Sequence, residues 1–367
     1  MIEVPEDPYE AWFNTPVDAC SPDPRFNVRR ATPEDFNRIY DCVDAAFGRK
    51  RPRELYDWWY LRNPYGKARM WILEEIATKL ILKNGGSFPW PIWKGDEALM
   101  GAMSGDAATM PEWQRKGLSH VRRVVNRAHP WRGKICTISG PNEGSRIVTT
   151  KKGEASDLLG PLQAGLLILR GSPLLEKFNL PSIFAKSIGG LATLASAAWR
   201  KMLLSAEVEG YRLVPITRFS ADFDQITIRT MRSEGFWCPH GHEFLNWRYI
   251  DYPTESYLAF GLERHNQIVG YTVIRMDGDQ VGLSEFAADE QDAPALMGLL
   301  LGQVSFLGGA FISFFSTRAW KHWALFHRAG MLPYKSPNHF EVTHKQDEED
   351  AHNIEMWQVT PGDRDYH

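Results

Sequence analysis

The feature that most limits what this chain can fold into is a pattern that occurs twice. Trp58-Trp59-Tyr60-Leu61-Arg62-Asn63-Pro64 and Trp247-Arg248-Tyr249-Ile250-Asp251-Tyr252-Pro253 both read Trp-x-Tyr-aliphatic-x-x-Pro, 189 residues apart. Each pattern follows a similar opening. Phe26–Ala31 reads as a strand, Thr32 as a helix cap, Pro33 as a first helical residue, and Glu34 and Asp35 as acids suited to a positive helix end. Phe36, Ile39, Tyr40, Val43 and Phe47 then recur at helical spacing. Downstream, Tyr211–Phe219 reads as a strand and Ser220 as a cap, and Phe223, Ile226 and Ile228 begin an apolar helix. Phe36 and Phe223 lie 187 residues apart. Two patterns of rare residues at nearly one offset predict a duplicated unit.

A length of 367 residues suits two such units better than one core. The division predicted is an extended, proline-bearing arm over 1–25, a first unit over 26–164, a connector over 165–210 and a second unit over 211–367. Leu166–Leu204 is rich in Leu, Ile, Ala and Gly and interrupted by Pro173 and Pro181, which predicts two or three short helices. In the second unit Ser256–Leu262, Gln267–Met276 and Val281–Ala288 read as strands, followed by a helix over Ala293–Phe306. A strand Ala310–Ser316, a helix Trp320–Ala329, a strand His339–Thr343 and a last strand within Ile354–Thr360 complete it. This order is a mixed α/β (α+β) pattern, with helices flanking a mostly antiparallel, mixed sheet in each unit.

Composition removes several function classes. Hydrophobic residues make up 43% and charged residues 24%, as in ordinary globular proteins. A net charge of −3 lacks the basic surplus of a general nucleic-acid binder, so no nucleic-acid partner is expected. Met1–Glu10 is acidic and bears proline, unlike a signal peptide, and the uncharged run Ser187–Trp199 is too short to span a bilayer. Cys20, Cys42, Cys136 and Cys238 show no framework spacing, which predicts a reduced, cytoplasmic protein. Cys238-Pro239-His240-Gly241-His242 offers three metal-capable residues but no fourth at a recognised spacing, so no metal is expected. A loop is the plainer reading of that run, with His240 or His242 in an acceptor pocket as the alternative. Trp58, Tyr60, Trp247 and Tyr249 are expected in the core rather than stacked on a substrate.

Chemistry concentrates in the first unit. The strand Leu99–Met110 runs into Pro111-Glu112-Trp113-Gln114-Arg115-Lys116-Gly117-Leu118-Ser119, and an amphipathic helix, His120–Arg127, starts directly afterwards. A strand, a tight basic turn and a helix N-terminus together make an anion cradle of backbone N–H groups. Gly117 allows close backbone approach, and Arg115 and Lys116 add positive charge. Arg122, Arg123 and Arg127 continue the basic face.

This segment resembles the Gln/Arg-x-x-Gly-x-Gly/Ala signature of the GNAT acyltransferases, with Gln114, Gly117 and Ser119 at its three defined positions. Ser119 replaces the usual Gly or Ala. The resemblance implies that Ala108, Thr109, Met110, Gln114, Arg115, Lys116, Gly117, Leu118 and Ser119 hold acetyl-CoA or another acyl-CoA. It implies also that the thioester carbonyl rests on backbone N–H groups near Thr109–Met110. Beyond the strand Ile135–Ser139, Asn142 and Ser145 match the family's next positions and Gly153 stands at the expected distance. Thr149 stands where the family carries a Tyr general acid, and Glu154 where it carries Phe. Asp106, on the strand leading into the cradle, is the candidate base, with Thr149 the weaker proton donor.

The second unit has Asp289-Glu290-Gln291-Asp292 where phosphates would sit, so it is expected to share the fold without binding the cofactor. Glu285 takes a strand position comparable with that of Asp106 and is expected to face water. What the resemblance implies is transfer of an acyl group from CoA to an amine or hydroxyl of a small-molecule, sugar or peptide acceptor. The Trp-x-Tyr repeats and Gly362-Asp363-Arg364-Asp365 resemble the tandem members associated with bacterial polysaccharide biosynthesis. A Fem-type aminoacyl transferase and a non-catalytic scaffold of the same fold are the alternatives.

Overall fold

A computed structural model describes residues 23–118, 136–141, 143, 146, 156–170, 193, 208–344 and 349–364. The first half contains β1 (Phe26–Arg30), α1 (Phe36–Phe47), α2 (Arg53–Leu61), β2 (Arg69–Glu75), β3 (Ile81–Lys94), β4 (Glu97–Thr109), β5 (Cys136–Ser139) and β6 (Ser156–Ile168). The second contains β7 (Tyr211–Ile216), α3 (Asp222–Met231), β8 (Phe236–Trp237) and α4 (His242–Leu245), which continues as a π-helical turn over Asn246–Ile250. There follow β9 (Tyr257–Arg264), β10 (Gln267–Asp277), β11 (Gln280–Ala288), α5 (Ala293–Phe306), β12 (Phe311–Ser316), α6 (Trp323–Arg328), β13 (Met331–His344) and β14 (Trp357–Gln358).

The openings form as their residues dictate. Thr32 and Asp35 close a capping box with Pro33 at the helix start, and Phe36, Ile39, Tyr40 and Val43 turn the buried face of α1 inward. Gly48 ends the helix in a left-handed conformation, φ 65°.

Both halves share one sheet, in the order β1-β2-β3-β4-β5-β13-β6-β12-β11-β10-β9-β7. The order reads alike from either end. In each direction five strands of one half are followed by a long strand of the other half, and then by a long strand of the same half. The halves have thus exchanged strands: β13 lies between β5 and β6, and β6 lies between β13 and β12. A near two-fold relation runs through the centre. Trp58 Nε1 donates to the Trp247 carbonyl at 2.8 Å and Trp247 Nε1 to the Trp58 carbonyl at 3.2 Å, with the rings stacked 4.7 Å apart. The repeated Trp therefore forms the joint between the units, with its polar atom paired as a buried indole requires.

One face of the sheet lies under α1 to α4, over a core that includes Trp58, Trp59, Tyr60, Trp90, Phe244, Trp247 and Tyr249. These residues are buried, as expected. The opposite face of the second half is covered by α5 and α6, whose Leu296, Leu300 and Phe326 pack with Ile274, Leu283 and Phe314. The opposite face of the first half gathers Phe26, Val28, Trp71, Leu73, Leu82 and Leu118.

The structure corrects two expected boundaries. β6 runs through the predicted end of the first unit at 164 to Ile168, because Leu166 and Leu167 pair with both β12 and β13. The predicted helical connector therefore begins as strand, and its remainder lies almost wholly outside the described residues, as does most of the arm over 1–25. β13 begins at Met331, well before His339, and its register breaks between Lys335 and His339, around Pro337.

Candidate functional site

β4 and β5 are parallel and pair only over Gly101–Met103 with Cys136–Ile138. Their near two-fold counterparts, β11 and β12, pair only over Gln280–Gly282 with Phe311–Ser313. Beyond those three pairs each couple parts, and a bulge marks the parting strand. In β4, Asn84 faces Ala108 and Gly86 faces Gly105, so Asp106 and Ala107 together oppose Gly85. Gly86 permits this close approach, since a Cβ there would lie 2.6 Å from the Gly105 carbonyl oxygen.

Asp106 sits in the bulge at φ 47° and is buried. Arg51 Nη1 donates to both of its carboxylate oxygens, at 2.8 and 2.9 Å, and the Tyr60 hydroxyl donates to one at 3.1 Å. Asn84 donates to its carbonyl at 2.7 Å. Burial first, and then the Asp106 charge, push the Tyr60 phenol well above its ordinary range, so it stays a donor. Asp106 is therefore enclosed and multiply bonded, an arrangement suited to bracing the bulge rather than standing ready to take a proton.

The second half repeats this cluster in different residues. Register places Asp106 and Glu285 the same distance beyond Gly101 and Gln280. The 189-residue offset that relates Trp58 to Trp247 also relates Tyr60 to Tyr249 and Arg51 to His240. The Tyr249 hydroxyl donates to Glu285 at 2.5 Å. His240 Nδ1 lies 2.9 Å from the same Glu285 oxygen as an ion contact off hydrogen-bond geometry, while Nε2 meets Asp363 at 2.8 Å. Burial alone would lower the His240 pKa, but the Glu285 and Asp363 carboxylates override it and raise it to about 10. The two carboxylates thus favour the imidazolium form of His240, which lies buried in the loop expected of this run, and Glu285 is buried with it, which corrects the expectation of a water-facing Glu285. The signal for this cluster was the 189-residue offset itself, which relates Arg51 to His240 across unlike residue types.

His242 lines a cleft of about 810 Å³ between the halves on the helix face, together with Trp58, Arg62, Arg218, Glu243 and Trp247. Its Nδ1 lies 2.9 Å from Asp224. Among the described residues no group of three or more His, Cys, Asp or Glu is arranged to hold a metal, and no helix is long and apolar enough to cross a membrane.

The predicted cradle follows β4. Pro111–Trp113 form a 3-10 turn, Gln114 Nε2 donates to the Thr109 carbonyl at 3.3 Å, and Lys116 Nζ lies 5.0 Å above the Trp113 ring. Arg115 and Gly117 are left-handed, φ 63° and 83°, and Leu118 anchors the turn in the core of the face opposite α1 and α2. Among the described residues no atom lies within 4 Å of where a Gly117 Cβ would stand. Ala108 is buried, while Thr109 accepts from Lys83 Nζ at 2.9 Å. The Met110 N–H donates to the Leu82 carbonyl at 2.9 Å, so it cannot hold a thioester carbonyl as expected. The bulge at Asp106–Ala107 is where the ladder is interrupted instead. Ser119, Asn142, Ser145 and Thr149, and with them Arg122, Arg123, Arg127, Gly153 and Glu154, lie outside the described residues.

No protein-family model and no curated protein sequence matches the chain. Solved structures do. A protein of unknown function from Enterococcus faecalis V583, described as a probable N-acyltransferase, superposes with TM-score 0.62 at 10% identity, over 86% of this chain and 71% of that one. A GCN5-related N-acetyltransferase from Anabaena variabilis ATCC 29413 gives 0.60 at 9% identity, over 87% and 72%. A tandem GNAT protein from the clavulanic acid biosynthesis pathway gives 0.53 at 12% identity, over 88% of this chain and 100% of its own length. With its paired bulged strands, its exchanged long strands β6 and β13 and the basic turn after β4, the chain has the fold of the GNAT N-acetyltransferases in its tandem form.

Proposed function

We propose that the first half transfers an acyl group, acetyl foremost, from acyl-CoA to an amine or hydroxyl of a small-molecule, sugar or peptide acceptor. The observation that carries this reading is the parting of β4 from β5 beside a bulge, with a basic left-handed turn following the same strand. The turn lies against the face opposite α1 and α2, and the Asp106 cluster lies on the α1–α2 face. Diphosphate and acceptor would thus approach from opposite faces, with the thioester between them. Gln114 to Leu118 would hold the diphosphate, and among the described residues no atom lies within 4 Å of where a Gly117 Cβ would stand. The acceptor's nitrogen or oxygen attacks the thioester carbon, the C–S bond breaks and the sulfur leaves as a thiolate, while the proton given up by the acceptor passes through Thr149 to that thiolate or out to solvent. Holding the two reactants together supplies much of the acceleration. In this reading Asp106, fixed by Arg51 and Tyr60, is a positioning residue that keeps the bulge in shape, and Thr149 remains the proposed proton donor to the departing sulfur.

Calorimetry with acetyl-CoA tests the assignment. Gly117→Val is expected to weaken binding at least about tenfold, equivalent to about 1.4 kcal/mol, because a branched side chain is strained at positive φ and fills the diphosphate's space. A folded Gly117→Val protein that binds acetyl-CoA like the parent would refute the site.

A further inference from the structure

The cleft between the halves lies apart from the parting strands and the basic turn: none of its lining residues comes from β4, β5 or 111–118. Both halves build it. On one side α2 ends at Leu61, where the Arg62 N–H donates to the Trp58 carbonyl at 3.3 Å and Pro64 bars a further turn. On the other side Asn246 Oδ1 accepts from the Phe219 N–H and its Nδ2 donates to the Phe219 carbonyl, both at 2.9 Å. This reciprocal pair locks the loop after β7 onto the π-helical turn and sets Arg218 beside His242 and Glu243 of α4.

The polar groups of the cleft fall into two poles over an apolar floor. Trp58 and Trp247 spend their indole N–H groups on each other's carbonyls, so what they offer the cleft is apolar ring surface. Arg62, on the first-half wall, is exposed, and among the described residues its guanidinium makes no hydrogen bond and no ion pair. Glu243, on the second-half wall, is exposed and equally unpaired, so the two do not neutralise each other. His242 stands beside Glu243, and its backbone N–H and its Nδ1 both meet Oδ1 of the buried Asp224, at 2.8 and 2.9 Å. A carboxylate accepts, so Nδ1 carries the hydrogen and Nε2 is the nitrogen left to the cleft, an acceptor in the neutral ring. Arg218 and Asp251 pair at 3.0 and 3.2 Å and cancel each other at the surface. What remains is one cation on the first-half wall and a carboxylate with an imidazole acceptor on the other.

We propose that this cleft binds a small zwitterion of the amino-acid kind with an apolar side chain. Its carboxylate meets Arg62, its ammonium meets Glu243 and His242 Nε2, and its apolar part covers the two indoles. A volume of about 810 Å³ is that of a small-molecule site, and such sites favour the joints between domains. A plain anion would be repelled by Glu243 and a plain cation by Arg62, whereas a zwitterion satisfies both. The near two-fold relation supplies no second copy. At the 189-residue offset Asp251 stands for Arg62, and Arg53, which pairs with Asp41, stands for His242. Binding here requires neither acyl-CoA nor the turn after β4.

The test is calorimetry on the full chain without acyl-CoA, using L-leucine, L-phenylalanine and L-tryptophan. Each is compared with its amide, which lacks the carboxylate, and with its deamino acid, which lacks the ammonium. At least one of the three is expected to bind about tenfold or more tightly than both of its analogues. Arg62→Gln is expected to erase the advantage over the amide, with Arg62→Lys keeping part of it. Glu243→Gln is expected to erase the advantage over the deamino acid, and His242→Gln to reduce it. Arg62 and Glu243 are exposed, so their variants should melt like the parent. Absence of binding by all three amino acids, equal affinity for an amino acid and its analogues, or an advantage that survives its matching variant would each overturn the proposal.

Discussion

A protonated His240 between Glu285 and Asp363 ties stability to alkaline pH. An unfolded histidine titrates near 6.5, whereas His240 in the fold titrates at about 10. Below about 6.5 both states carry the proton and the stabilisation is complete; it is lost as pH rises through the folded value. Between those limits this group should lower the unfolding free energy by about 1.4 kcal/mol per pH unit. Urea titrations at several pH values should show that slope in the parent and its loss in His240→Gln; the same slope in both would rule out a buried imidazolium. Asp363 works in the opposite sense: its depressed pKa gives stability that is present above the ordinary carboxylate value and lost as pH falls through the folded one. In the first half, Arg51→Met leaves Asp106 buried without its cation and should cost about 3–5 kcal/mol, whereas the Arg51→Met/Asp106→Leu pair should recover much of that. Equal destabilisation of single and double variants in denaturant titrations would count against the pairing. The sequence showed Tyr60 and Tyr249 as repeats because the residue type was kept. Arg51 and His240 were hidden because only positive charge was kept, and charge can be supplied by unlike side chains.

At the level of strands and helices, β6 is held on both edges, by β12 and β13, over Gln163–Leu167. Its amides are expected to exchange with solvent only through global unfolding, while those of β1 and β7, at the two ends of the order, exchange sooner. Hydrogen exchange followed by mass spectrometry checks this, and β6 peptides exchanging as fast as β1 would contradict the central placement. Strands of the second half such as Gln267–Asp277 and Gln280–Ala288 were legible from alternation and the Asp277-Gly278 turn between them. The first part of β13 was not: Pro333 and Pro337 cannot donate to a ladder, and the strand keeps them by breaking register around Pro337. Asp106 looked like an available base because its strand and position were visible, while the Arg51 and Tyr60 that enclose it come from a helix and its approach far away in sequence.

For the whole molecule, the exchange of β6 and β13 makes each half incomplete alone. Fragments 23–168 and 208–364 are expected to aggregate or stay unfolded when produced separately and to yield soluble protein when produced together. The intact chain should melt in one cooperative transition. A separately produced 23–168 fragment that is monomeric and fully folded would contradict the exchange. The sequence by itself determined that there are two units and where their openings and Trp-x-Tyr joints lie. It also located the basic turn after β4, since each is written in local spacing or in a repeat at fixed offset. The tertiary structure alone decided which strand sits beside which, that Asp363 meets His240, and that one cleft draws Arg62 from the first half and His242 from the second. Those outcomes depend on contacts between residues distant in sequence, and local patterning specifies that a segment is a strand without specifying its neighbour.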